Sequence, residues 1–159
     1  MSAVLETAQL APELQQLLSD ALSQARKDHL PFAGGVLPAQ AWSLVQAGVA
    51  VLVDVRSAEE YRFVGHVPGS VHVAWATGTS LTRNPRFVRE LEAKVGKDAL
   101  ILLLCRSGKR SALAAEAATK AGFTQVFNVL EGFEGELNQH QQRGHDDGWR
   151  LRALPWQQE

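Results

Sequence analysis

"ALILLLCRSGKRSALAAEAATKAG", residues 99 to 122, is the stretch on which the fold turns. Ala99 to Cys105 is a continuous apolar run of strand length, the pattern of a β-strand covered on both faces. Ser107 to Ala121 is rich in alanine with a few long polar side chains, which predicts a helix, and Gly122 ends it. A buried strand that runs through a short loop directly into a helix is one step of an alternating α/β chain.

The same alternation extends outward on both sides. Residues 39 to 47 read as a helix closed by Gly48, and "VAVLVDV" (49 to 55) as a second buried strand. Ser57 followed by Glu60 fits a capping box for a short helix, after which "GHVPGS" turns the chain into the strand "VHVAW" (71 to 75). Asn84 with Pro85 starts another helix that Gly96 stops, and "QVFNVL" (125 to 130) is the last strand. Strands separated by helices require right-handed crossovers, hence a mainly parallel sheet with helices on both faces. Ligands of such sheets bind beyond the carboxyl ends of the strands, and Cys105 stands at one of those ends.

Upstream, "LAPELQQLLSDALSQARKDHL" repeats Leu10, Leu14, Leu17/Leu18, Ala21/Leu22 and Ala25 at three- and four-residue spacing, an amphipathic helix with Pro12 in its first turn. "PFAGGVLP" then breaks the pattern, so residues 1–34 read as a helical extension with linker and residues 35–159 as the main domain with its tail. Periodicity does not say what the apolar stripe meets: its own domain, a second copy in a homodimer, or another partner.

Composition narrows the class. With 159 residues, 45% hydrophobic and 21% charged, the chain can bury one core of its own. A formal net charge of -1 argues against nucleic acid or an anionic membrane as partner, since both demand a broad basic excess. No apolar run approaches membrane-spanning length, and "MSAVLETAQLAPELQQ" lacks a basic segment followed by an apolar signal core, so a cytoplasmic protein is expected. One cysteine rules out an internal disulfide and leaves no cysteine-based zinc set, so any chemistry at Cys105 is that of its thiolate.

The loop "CRSGKRS" is suited to that chemistry. The first turn of the following helix has backbone N–H groups without internal partners, Gly108 lets the loop curve, and the helix dipole adds positive potential. Arg106, Lys109 and Arg110 follow the sulfur, and the next carboxylate along the chain is Glu116. Helix starts and neighbouring cations favour the thiolate, so the pattern predicts a nucleophile seated in its own anion cradle. An inert core thiol would need no charged, glycine-containing loop.

"LVDVRSAEEYRFVGHVPGSVHV" followed by "LLLCRSGKRSALAAEAATKAGFTQVFNVLEGFEG" resembles the single-domain rhodaneses, the thiosulfate and persulfide sulfurtransferases, over roughly residues 38 to 135. The ending "GWRLRALPW" is similar to some bacterial members. The resemblance implies a central five-stranded parallel sheet, Cys105 as the residue that becomes a persulfide, and Arg106, Ser107, Gly108, Lys109, Arg110 and Ser111 as the binding loop. It also implies a small sulfur donor, a thiol or cyanide acceptor that can be a protein thiol, and no metal or organic cofactor. Asp54 and Arg56 of "DVR" read as structural groups near the site, by ion pairing or hydrogen bonding.

Two rivals remain in view. Cysteine phosphatases and arsenate reductases of the same general fold place five residues between cysteine and a clasping arginine, whereas four separate Cys105 from Arg110. A tighter ring suits one added sulfur better than a whole tetrahedral oxyanion. A docking module without turnover usually dispenses with the cysteine. Other features read as structural: His66, His72, His140 and His145 lack metal-ligand spacing, and Trp42, Trp149 and Trp156 read as packing residues. Trp75, Arg83 and Arg86 are candidates for the rim of the loop, which the insert 76–94 is expected to border.

Overall fold

The structure, a computed structural model, describes residues 11–159. Leu10 of the helical stripe and most of the amino-terminal stretch read for a leader lie outside the described residues. Among these the order is α1 (Pro12–Lys27), β1 (Gly34–Val36), α2 (Pro38–Gln46), β2 (Val51–Asp54), a π-helical turn (Glu60–Val64) and β3 (Val71–His72). Then follow β4 (Ala76–Thr77), β5 (Thr82–Arg83), α3 (Phe87–Lys94), β6 (Ile101–Leu104), α4 (Lys109–Lys120) and β7 (Val126–Val129).

Five strands form one parallel sheet in the order β1-β7-β6-β2-β3, and β4 pairs with β5 as a separate antiparallel ribbon. Every residue of β6 and β7 is buried, which explains the unbroken apolar character of β6 and the single polar side chain, Asn128, in β7. The two-residue period of a strand then sorts the side chains. Val53, Ile101, Leu103 and Cys105 face α3 and α4, among Phe87, Leu91, Ala114, Ala115 and Ala118. Leu52, Leu102 and Leu104 face the opposite layer with Ala41, Leu44 and Leu18. Each fully buried leucine contributes about 1.5–3 kcal/mol, and the alanines of α4 let that helix lie close to the sheet.

The stretch read as a pattern break, "PFAGGVLP", contains the edge strand β1, paired with β7 through Gly34↔Phe127 and Val36↔Val129. The strand escaped notice because it is three residues long and contains two glycines. One of those glycines is required by α1: a Cβ at Gly34 would come 2.7 Å from the carbonyl oxygen of Ala21. Leu18 and Ala25 of α1 are buried against the chain's own core, so the apolar stripe packs on its own domain, while Leu22 stays exposed.

At the other end, the tail packs into the layer of Leu102 and Leu104. Trp149 is fully buried, edge-on to Trp42 at 6.0 Å, with its indole N–H donating to the Pro155 carbonyl at 2.9 Å. Trp156 meets Phe133 edge-on, and Gln157 exchanges backbone hydrogen bonds with His66. No helix among the described residues is long and apolar enough to cross a membrane.

Candidate active site

Register brings the parts together. Asp54 lies beside Leu104 in the β2–β6 pairing, so the chain after β2 and the loop after β6 leave the sheet side by side. The loop begins at Cys105, which is 1% exposed. Its Sγ accepts a hydrogen bond from the Gly108 N–H at 3.0 Å and lies 3.1 Å from Ser111 Oγ. Gly108 has φ 102°, a left-handed conformation that an L side chain would strain, and this is what turns its N–H back onto the sulfur.

The loop is held from beneath by a residue the sequence reading passed over. Asn128 sits in the middle of β7, is 5% exposed, and donates from Nδ2 to the Gly108 carbonyl at 3.1 Å. A carbonyl can only accept, so this bond fixes the amide and turns Oδ1 toward Ser111, whose hydroxyl donates to it. With the Ser111 proton committed there, Ser111 Oγ is free to accept from Cys105 in the thiol form. The one signal in the sequence was a lone polar side chain inside the apolar strand "VFNVL".

The segment after β7 buttresses the loop. Phe133 N–H donates to the Cys105 carbonyl at 2.8 Å, and Glu134 and Gly135 N–H groups donate to the Arg106 carbonyl at 3.0 and 3.1 Å. Gly132 presses so closely that any Cβ there would collide with the Arg106 backbone.

Asp54 and Arg56 are both fully buried. The Asp54 carboxylate accepts from Arg56 N, Nε and Nη2 at 3.0, 3.0 and 2.7 Å, and Nη2 also donates to the Gly65 carbonyl at 2.6 Å. The guanidinium lies 4.3 Å over the Phe133 ring, which joins this pair to the segment supporting the loop.

The three loop cations separate. Lys109 is exposed; Arg106 is half-buried and its Nε has no partner. Arg110 donates from Nη1 and Nη2 to the two oxygens of Glu60 at 2.7 and 2.8 Å. A carboxylate absent from the local sequence thus arrives from fifty positions upstream. Glu60 also forms the expected capping box, accepting from Ser57 N and Oγ while its own N–H donates to Ser57 Oγ. Burial alone would raise the Glu60 carboxyl, but the Arg110 bonds and charge with the Ser57 donors outweigh it and bring it down to about 2. Arg110 is raised in turn, chiefly by its bonds to Glu60, with smaller attractions from Cys105 and Asp54. Ser107 makes no side-chain bond among the described residues.

Beside the loop opens a cavity of about 370 Å³, lined by Arg106, Glu59, Glu60, Glu134, Val64 and Leu81 among others. The insert 76–94 borders it through Gly78, Thr79 and Leu81. A larger open groove of about 540 Å³, lined by His72, Asn84, Arg86 and Lys94, includes no residue of the loop. Size alone would select that groove, but it is the smaller one that Arg106 of the loop lines. Trp75 packs in the core that contains Cys105, edge-on to Phe87 at 5.2 Å, with Arg83 stacked 4.3 Å over it. Neither Arg83 nor Arg86 lines the cavity beside the loop.

Comparison with known proteins gives the family. The model of the Rhodanese-like domain matches residues 37–138. The crystal structure of Rv0390 from M. tuberculosis is 45% identical with a TM-score of 0.73, covering 80% of this chain and 99% of that one. Uncharacterized protein RC0915 of Rickettsia conorii is 36% identical over 72% of this chain and 88% of its own length. A relative named thiosulfate sulfurtransferase 16, chloroplastic, from Arabidopsis thaliana is 33% identical over 58% of this chain and 78% of its own.

Proposed function

The chain belongs to the rhodanese-like domain family, and on that premise we propose that it is a sulfurtransferase carrying sulfane sulfur as a Cys105 persulfide. The observation that carries the reading is the Gly108 N–H directed at Cys105 Sγ within a loop that leads into α4. A backbone donor aimed at a nucleophilic sulfur stabilises negative charge there before and after the reaction.

In the first half-reaction the Cys105 thiolate bonds to the outer sulfur of a donor such as thiosulfate. The donor's S–S bond breaks, and its electron pair leaves on sulfite. In the second, an acceptor nucleophile, cyanide or a small or protein thiol, takes the outer sulfur and the electron pair returns to Cys105. The sequence contains no second cysteine to resolve the persulfide, so the acceptor comes from outside and the kinetics are ping-pong. Arg106, Ser107, Gly108 and Lys109 form the rim around the transferred sulfur, with buried Ser111 beneath it. Asp54 and Arg56 act as scaffold. A working free thiol suits a reducing compartment, the cytoplasm.

Arg110 argues against phosphoryl chemistry. Both Nη groups of its guanidinium donate to Glu60, whose charge offsets its own, so it is a poor clasp for a phosphate. The test is intact mass after incubation with thiosulfate. Wild type should gain one sulfur atom and Cys105→Ser none; hydrolysis of an aryl phosphate without any sulfur gain would instead revive the phosphatase.

A further inference from the structure

Glu60 caps a turn, but its position has a second consequence for the loop. Arg110 and Glu60 are 15% and 17% exposed, close enough to water to be perturbed and buried enough to resist parting. The carboxylate is pinned on its other side by Ser57 N and Oγ at 3.3 and 3.1 Å. Swinging either partner away would strand a charge in a poorly solvated place. Arg110 carries the planar donor set that grips oxyanions best, and here one N–H of each Nη group, and the positive charge, are taken up by Glu60 within the protein.

What an incoming anion then meets is sparse in positive charge. Arg106, with its Nε unpartnered, lines the cavity beside the loop. Lys109 is exposed to solvent. Around the same cavity stand the carboxylates of Glu59, Glu60 and Glu134, with Val64 and Leu81 supplying apolar wall. Glu134 is drawn toward Arg150 at 3.6 Å, and Glu59 has no hydrogen bond or ion pair among the described residues. A doubly charged inorganic ion gains little here, whereas a donor with an organic body and at most one charge can use the apolar wall.

We infer that Glu60 is a specificity-determining residue: by occupying Arg110 it sets the loop against dianionic oxyanions and in favour of organic persulfides as sulfur donors. The donor class rests on the sulfurtransferase reading, while the discrimination between anions rests on the ion pair alone. With an organic donor, the Cys105 thiolate bonds to the terminal sulfur of R–S–SH. The donor's S–S bond breaks with its electron pair passing to R–S⁻, and the proton stays on the transferred sulfur.

The experiment has two arms. In the first, loading of Cys105 by thiosulfate and by cysteine hydropersulfide is followed by intact mass in wild type, Glu60→Gln and the double variant Glu60→Gln/Arg110→Met. Wild type should load more efficiently from cysteine hydropersulfide. E60Q should use thiosulfate at about tenfold lower concentration, the gain of a charge-assisted contact from the released arginine, with loading from hydropersulfide changed far less. The gain should vanish in the double variant. In the second arm, protection of Cys105 from iodoacetamide is titrated with sulfate, and E60Q should need about tenfold less sulfate. Glu60→Asp, with a shorter carboxylate that retreats from Arg110, should shift the same way by less and serves if E60Q does not fold. Unchanged sulfate protection in a folded variant, or a gain that survives Arg110→Met, overturns the role of Glu60. Faster wild-type loading from thiosulfate than from hydropersulfide overturns the donor class. If wild type loads from neither donor, the sulfurtransferase reading fails while the sulfate arm still decides on Glu60.

Discussion

Asp54–Arg56 and Glu60–Arg110 are the same chemical pair, a carboxylate with a guanidinium, and the shortest contact in each is 2.7 Å. The first is fully buried, with its arginine tied to the Gly65 carbonyl and stacked on Phe133. The second lies at the mouth of the loop, partly wet, with its carboxylate shared by a helical cap. Identical chemistry serves two ends because the surroundings differ. Deep in the fold, separation is prohibitive and the pair locks the strand ends to the segment that backs the loop. At the rim, the pair decides how much positive charge is left for substrate.

The largest expected effect is on the buried pair. Asp54→Asn leaves the Arg56 charge without its counterion, which should cost about 3–5 kcal/mol of stability. Urea unfolding checks this, and a loss below about 1 kcal/mol would mean that the pair is better solvated than its burial implies. Next comes the neutral tie beneath the Cys105 loop. Asn128→Leu keeps the apolar volume of β7 but leaves the Ser111 hydroxyl and Gly108 carbonyl without that partner, which should cost about 1–3 kcal/mol in the same assay. Unchanged stability would show that the amide carries no net weight.

The smallest effect sharpens the comparison through pH. The Glu60 carboxyl is held down to about 2 from an ordinary 4.5, so the folded state binds its proton less readily than the unfolded state does. Its stabilisation is complete above about pH 4.5 and is lost as pH falls toward 2. Melting curves of wild type and Glu60→Gln should therefore converge over that interval. A gap that stays constant down to pH 2 would mean that the carboxylate's charge is not what stabilises the wild type.

Much of this arrangement was legible in the chain because its signals are local. The apolar run 99–105, the alanine-rich stretch after it, and the Ser57/Glu60 cap each depend on neighbours a few residues away, and each is present. Edge strand β1 was not legible, since a Gly-Gly-Val segment becomes a strand only when β7 lies beside it and α1 on top of it. The loop was readable as the turn from a buried strand into a helix, but the partner of its arginine was not. Glu60 reaches Arg110 across a sequence separation of fifty, a contact that no periodicity encodes. Asn128 gave one signal, a polar side chain inside an apolar strand, whose meaning appears only when its two partners are seen.

The central claim is that Cys105 accepts and releases a sulfur atom. Intact mass of the protein after exposure to cysteine hydropersulfide or thiosulfate, and again after cyanide, tests it most directly. The account predicts one added sulfur, located on Cys105 by peptide mapping and removed by cyanide. A protein that takes up no sulfur from either donor, while its thiol still reacts with iodoacetamide, would contradict it.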